Sequence, residues 1–132
     1  MSRPAVVLDT NVFVAAGFNP GSRSARILEA VTGGELHLVW NEATRRETEY
    51  VLRKIPPLSW DRWSALFQEE NRYEGETHPE DFAYVPDADD RKFAALAVAS
   101  GAALVTNDDH LLAYRERLPC PVQTPGEFRP GG

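Results

Sequence analysis

Apolar residues fall along this chain in short runs separated by longer stretches in which they recur at helical spacing. The first run, Ala5-Val6-Val7-Leu8, stops on Asp9. Four consecutive apolar residues predict a strand buried on both faces, as in a parallel sheet covered by helices. Val12 to Phe18 continues apolar up to the turn signal Asn19-Pro20-Gly21. Ser22 then caps a predicted helix to about Val31, with Ile27, Leu28 and Val31 as its buried stripe and Gly33-Gly34 as its stop. Leu36 to Trp40 reads as a second strand, in which His37 is structural rather than a ligand. Asn41 caps a helix from Glu42 to about Ile55, ended by Pro56-Pro57. Ser59 caps another, with Trp60, Trp63, Leu66 and Phe67 on its apolar side. That is more aromatic surface than a small peripheral helix needs, and it predicts that part of this surface, or the first helices, is buried in a homodimer.

The second half repeats the pattern. Glu74 to Asp81 reads as an acidic loop and Phe82 to Val85 as a short strand. Asp87 caps a helix that runs to about Ser100 and stops at Gly101. Ala102 to Thr106 is another buried run followed by carboxylates, Asn107-Asp108-Asp109, with Asp109 as the cap of a helix holding Leu111, Leu112 and Tyr114. Val122 lies in a last short strand, and Thr124-Pro125-Gly126-Glu127 reads as a capped helix start. Strands alternating with helices predict an α/β fold, a three-layer α/β/α sandwich with a mainly parallel central sheet. One domain spans residues 1–128 and a frayed tail occupies 129–132.

Helical phase sorts the carboxylates. Glu42, Arg45, Arg46, Glu49 and Arg53 share a solvated face with i, i+4 pairs. Glu47 instead falls between Ala43 and Val51 and beside Tyr50, at the border of the face that packs on the sheet. Asp90 shares its face with Phe93, Ala94 and Ala97, whereas Asp89 has Lys92 at i+3. Carboxylates aimed inward are costly unless paired or bound to a cation. Asp9 and Asp108, each just past the carboxyl end of a strand, lie where open α/β sheets bind ligands. Asp9 and Asn11 equally suit capping of the following turn, and three aspartates in a first turn suit a helix dipole. Four carboxylates converging on one edge need protons or cations between them. Hard oxygen ligands without a Cys or His cluster favour Mg²⁺ or Mn²⁺, ions that activate water for phosphodiester cleavage.

Composition narrows the choice. With 132 residues, 42% hydrophobic and 26% charged, the chain suits one globular domain. It has no apolar run near the roughly 20 residues of a membrane span. Met1-Ser2-Arg3-Pro4 leads directly into a strand without a signal-peptide pattern, so the cytoplasm is the expected location. The single Cys120 forms neither an intrachain disulfide nor a cysteine metal site. A net charge of −6 argues against nonspecific coating of nucleic acid, yet leaves room for a nuclease whose acids are gathered in a metal site.

The order of motifs resembles the PIN-domain family, specifically the toxin components of toxin-antitoxin systems related to VapC. The likeness rests on Val6-Val7-Leu8-Asp9-Thr10-Asn11-Val12-Phe13, Glu47 to Leu52, Asp87 to Phe93 with its alanine helix, Leu104 to Asp108, and Thr124 to Phe128. It places the family's acidic quartet on Asp9, Glu47, Asp90 and Asp108, with Asn11 and Thr106 as supporting residues. It implies a metal-dependent endoribonuclease with an RNA substrate, often dimeric and held inactive by a protein antitoxin. After the fourth acid the chain departs from its relatives with Asp109-His110, which leaves Asp109 as an alternative to Asp108. Two other readings share these features. A haloacid-dehalogenase-like phosphatase also begins with an apolar strand ending in Asp, but its motif wants a second Asp where this chain has Asn11. A noncatalytic RNA- or partner-binding module would fold the same way.

Overall fold

The computed structural model describes residues 4–129; of the predicted frayed tail only Arg129 lies within them. Four parallel strands form the sheet: β1 (Ala5–Leu8), β2 (His37–Leu38), β3 (Ala103–Val105) and β4 (Val122–Gln123), in the order β2-β1-β3-β4. Around them lie α1 (Thr10–Phe18), α2 (Arg23–Thr32), α3 (Glu42–Arg53), α4 (Trp60–Trp63), α5 (Ala88–Ser100) and α6 (Asp109–Leu112).

The two faces of the sheet carry separate cores, and the alternation along β1 divides them. Val6 and Leu8 join Phe13, Ile27, Leu52 and the tryptophans Trp60 and Trp63 on one side. Val7 joins Phe93, Leu96, Leu104 and Leu111 on the other. A strand buried on both faces therefore needs apolar residues at every position, which is why the run carries no alternating polar pattern. The predicted three-layer sandwich is what forms.

Most caps stand where the sequence places them. Ser22 Oγ accepts from the Ala25 N–H, and Asn41 and Thr44 close a reciprocal capping box at the start of α3. Asp87 accepts from the Asp89 N–H to start α5, which ends on Gly101 in the left-handed conformation at φ 76°. Gly17 has a different reason to lack a side chain: a Cβ there would run into Leu58 and stand 3.0 Å from Trp63, where α1 passes α4.

Four expectations need correction. Residues 10–18 form a helix, α1, where the sequence pattern predicts only an apolar run before a turn. With Val12, Phe13 and Ala16 buried and Val14 packed against the same core, this helix is apolar nearly all round and shows no stripe. Phe82 to Val85 is not a strand: Phe82 closes a 3-10 turn (Pro79–Phe82) and the chain goes on turning, the Val85 N–H donating to the Phe82 carbonyl at 3.0 Å rather than to a neighbouring strand. The segment from Thr124 forms a turn rather than a helix, although Thr124 and Glu127 exchange the reciprocal hydrogen bonds of a capping box. Finally, Trp60, Trp63 and Leu66 are buried by the chain itself. Phe67 stacks on Phe13 at 5.7 Å and also meets Trp40 and Trp60, so the aromatic surplus closes the chain's own core rather than a dimer face.

Phe13, fully buried between Trp63 and Phe67, ties α1 to this cluster. Phe13→Ala should therefore cost about 3–5 kcal/mol in urea unfolding. Phe18→Ala, on the same helix but 58% exposed, should stay within about 0.5 kcal/mol of wild type. Equal losses would mean that α1 is not anchored through Phe13.

Candidate functional site

The carboxyl ends of β1 and β3 are neighbours because Leu8 pairs with Val105, and the Asp9 N–H donates to the Val105 carbonyl at 3.0 Å. The chain leaves both strands at once: Asp9 precedes α1, while Thr106 leads through Asn107 to Asp108 at the start of α6. The fully buried Thr106 hydroxyl donates to Asp9 Oδ2 at 2.6 Å and accepts from the Asp108 N–H at 2.9 Å. Asn11 Oδ1 accepts from the Asn107 N–H at 3.1 Å, fixing the same turn from α1. Asn11 and Thr106 thus hold the backbone that carries the acids.

Asp90, in the first turn of α5, completes the group. Asp9, Asp90 and Asp108 each offer one oxygen, and these lie within 4.8 Å of one another. Glu47 lines the same cleft, of about 180 Å³, but is not part of that triad. Its Oε1 accepts from Lys92 Nζ at 3.0 Å, so the partner of this inward-facing acid is a lysine of α5. The inner stripe of α3 is also not the one its apolar residues suggest. Ala43 and Tyr50 are exposed, and Thr44, Thr48 and Leu52 are buried, with Glu47 at the margin. Thr48 can be buried because its hydroxyl pairs with that of Thr10 at 3.0 Å, binding α3 to the start of α1.

Asp108, not Asp109, caps α6: its Oδ1 accepts from the His110 N–H at 2.8 Å, while Asp109 is exposed and outside the triad. The expectation that Asp109 caps this helix is thereby corrected, while Asp108 still faces the cleft. Lys92, Thr10, Thr48 and His110 were not assigned to the site from sequence. Lys92 carried a signal, at i+3 from Asp89, but its nearer partner is Glu47; the Asp89 oxygen is 3.9 Å away.

Crowding sets the electrostatics. Burial pushes the Asp9 carboxyl up to about 6; the Thr106 hydrogen bond pulls against this, and the charges of Asp108 and Glu47 add to the rise. Burial, then the adjacent Asp108 carboxyl and the charge of Asp9, push Asp90 up to about 8. Asp90 Oδ2 is buried with no hydrogen-bond partner among the described residues. An orphaned acidic oxygen beside two further carboxylates fits a hard divalent cation, whose charge would satisfy it. A larger groove of about 380 Å³, lined by Ala16, Leu28 and Trp63 among others, holds no such cluster among the described residues.

Residues 5–110 match the PIN domain family. The chain belongs to that family. The resemblance seen in its motifs is borne out, and the haloacid-dehalogenase alternative falls away. The fold is similar to that of solved PIN-type chains at low identity. VapBC2 from Rickettsia felis, solved bound to a DNA fragment from their promoter, is 17% identical with a TM-score of 0.57, covering 91% of this chain and 98% of that one. FitAcB from Neisseria gonorrhoeae is 18% identical with a TM-score of 0.58, over 93% and 99% of the two chains. PAE2754 from Pyrobaculum aerophilum is 19% identical with a TM-score of 0.52, over 93% and 90%. None of the curated proteins compared matches the chain.

The raised pKa values of Asp9 and Asp90 have a definite sign for stability. The fold favours their protonated forms, so their contribution is full below the ordinary carboxyl value of 3.8 and is lost as pH rises through about 6 and about 8. The lowered values of Glu49, Glu80 and Glu127 act below this window. The metal-free melting temperature should therefore fall between about pH 5 and pH 8, and millimolar Mn²⁺ should restore most of the loss at the upper end. A flat or rising metal-free profile would show that burial and the neighbouring carboxylates do not hold Asp9 and Asp90 protonated as described.

Proposed function

We propose that this PIN-domain protein is a divalent-metal-dependent endoribonuclease, the toxin of a toxin-antitoxin pair, that hydrolyses RNA phosphodiester bonds. The observation that carries the reading is the convergence of Asp9, Asp90 and Asp108 within 4.8 Å, with one Asp90 oxygen buried and unsatisfied. Family membership supplies the reaction class. The antitoxin partner follows from the resemblance to toxin-type members, and the fold shared with VapBC2 and FitAcB is in keeping with it. A homodimer and a cytoplasmic location remain part of the proposal, the former without the tryptophan face as support. No helix among the described residues is long and apolar enough to cross a membrane.

In this reading Asp9, Asp90 and Asp108 hold Mg²⁺ or Mn²⁺, with Glu47 as the fourth acid of the cleft. Such a cation supplies activation of the attacking water and charge stabilisation at the leaving oxygen. Thr106 keeps Asp9 and the Asp108 backbone in register through one hydroxyl. Glu47 stands beside the triad with its charge balanced by Lys92, able to accept a proton or a hydrogen bond from water in the cleft. The Thr10–Thr48 pair joins α1 to α3 at the residues next to Asp9 and Glu47.

Cleavage of a mixed single-stranded RNA pool, with Mn²⁺ and with EDTA, tests the reading. Asp9→Asn and Asp90→Asn should lower turnover by about a hundredfold or more, as expected when a preorganised charge at a reaction centre is removed. Both should fold, because relief of carboxylate repulsion offsets the change in shape. Thr106→Val should cost about 10–100-fold by releasing Asp9. Glu49→Gln, whose partners Arg45 and Arg53 lie on the solvated face, should leave cleavage unchanged and cost only about 0.2–1 kcal/mol of stability. Wild-type rates in Asp9→Asn and Asp90→Asn would make the triad structural and favour a noncatalytic binding module.

A further inference from the structure

The acids that gather a cation also repel the rest of an RNA backbone, so the phosphates flanking the cut need positive side chains elsewhere. The chain has 14 Lys and Arg against 20 Asp and Glu, and most of the 14 are engaged. Among the described residues, every lysine and arginine but two is in an ion pair, donates to a backbone carbonyl or lies over an aromatic ring. The two are Arg23 and Arg26, both exposed on α2. An unpartnered guanidinium keeps all its donors for an incoming anion.

Their place in the fold distinguishes them from an ordinary solvated face. Helix α2 is tied to the acid edge at Ser24, whose Oγ accepts from Asn107 Nδ2 at 3.5 Å, and Asn107 immediately precedes Asp108. Both arginines line a groove of about 320 Å³ together with Pro125 and Phe128. Pro125 follows β4, which ends beside β3: Val105 pairs with Gln123, and the Thr106 N–H donates to the Gln123 carbonyl at 3.0 Å. The groove therefore opens on the same edge of the sheet as Asp9 and Asp108, one strand further along. Its acids, Glu29 and Glu35, lie toward the other end of α2, and neither forms an ion pair with the arginines.

We propose that Arg23 and Arg26 bind backbone phosphates of the RNA beside the scissile bond, so that the strand runs from the acid cleft past Asn107 into the groove between α2 and the residues after β4. The inference rests on the nuclease reading of the cleft and adds to it the path of the substrate. Guanidinium contacts to phosphate fix where a strand lies and carry no sequence information, so this groove positions the RNA without choosing its bases.

Fluorescence anisotropy of a labelled single-stranded RNA, titrated with the Asp9→Asn protein in Mn²⁺ at several salt concentrations, reads these contacts without turnover. The slope of log affinity against log salt should shrink by about 0.7 for Arg23→Gln and for Arg26→Gln, and by about 1.4 for the double variant, as expected for one phosphate each. The double variant should also bind about tenfold more weakly. Placed in the otherwise wild-type protein, it should raise KM for cleavage about tenfold and leave kcat within about twofold, the signature of binding lost equally from ground and transition states. Both arginines are exposed, so the variants should melt with wild type. Arg46→Gln, exposed but paired with Glu42, is the charge-matched control and should change neither slope nor KM. An unchanged slope and KM in the double variant, or an equal loss in Arg46→Gln, overturns the groove, and Mn²⁺-dependent cleavage would leave the nuclease reading standing. RNA bound with an arginine-dependent slope but not cut by wild type keeps the groove and removes the nuclease. Neither binding nor cleavage overturns both.

Discussion

The register of β1 against β3 is the constraint on which everything else in this protein depends. With Leu8 opposite Val105, Asp9 and Thr106 leave the sheet side by side and the Thr106 hydroxyl can bridge from Asp9 to the Asp108 backbone. A slip of one residue in either strand would break that bridge. It would also exchange Val6 and Leu8 with Val7 between the two cores, which differ in everything they pack against. The apolar contacts on both faces thus hold the polar geometry at the strand ends, which is why short strands suffice. The edge that carries the acids needs no long ladder, only one that cannot shift.

Having fixed the acids together, the fold must tolerate them. Asp9 and Asp90 are both nearly inaccessible and sit beside Asp108, so each raises the cost of ionising the next. The protein meets this in two ways. At Asp9 it supplies a short hydrogen bond from a buried hydroxyl, and at Glu47 a full counter-charge from Lys92. At Asp90 it supplies neither to Oδ2. The least satisfied acid is therefore the one at the centre of the cluster, and a site that is strained without a cation is one that favours binding it.

Much of this was legible in the sequence because strand burial and helix phase are local properties. The buried runs that became β1 and β3, and the inward phase of Asp90, follow from spacing alone. What escaped did so for specific reasons. Helix α1 has no polar face, so its period is invisible. The inner stripe of α3 is written in threonines, whose burial depends on partners far along the chain: Thr48 needs Thr10. The counter-ion of Glu47 is 45 residues away. The tryptophans looked surplus only because Phe13, part of the unseen helix, was missing from the count of what they cover. Short-range pattern identified which residues face inward; long-range pairing decided what they meet.

One opposition in the sequence reading dissolves in the structure. By sequence, aspartates beside helix starts suit either caps or ligands, yet at Asp87 and Asp108 a single oxygen does the capping, accepting from the N–H two residues on. A carboxylate carries a second oxygen, so capping leaves the residue free to face the cleft and orients it while doing so. Asp9 shows the converse: it occupies the cap position of α1 but makes no side-chain cap bond, its Oδ2 being held by Thr106 instead. Helix starts at a sheet edge thus supply both the turn and a carboxylate that faces the cleft, so capping does not withdraw an acid from the cluster.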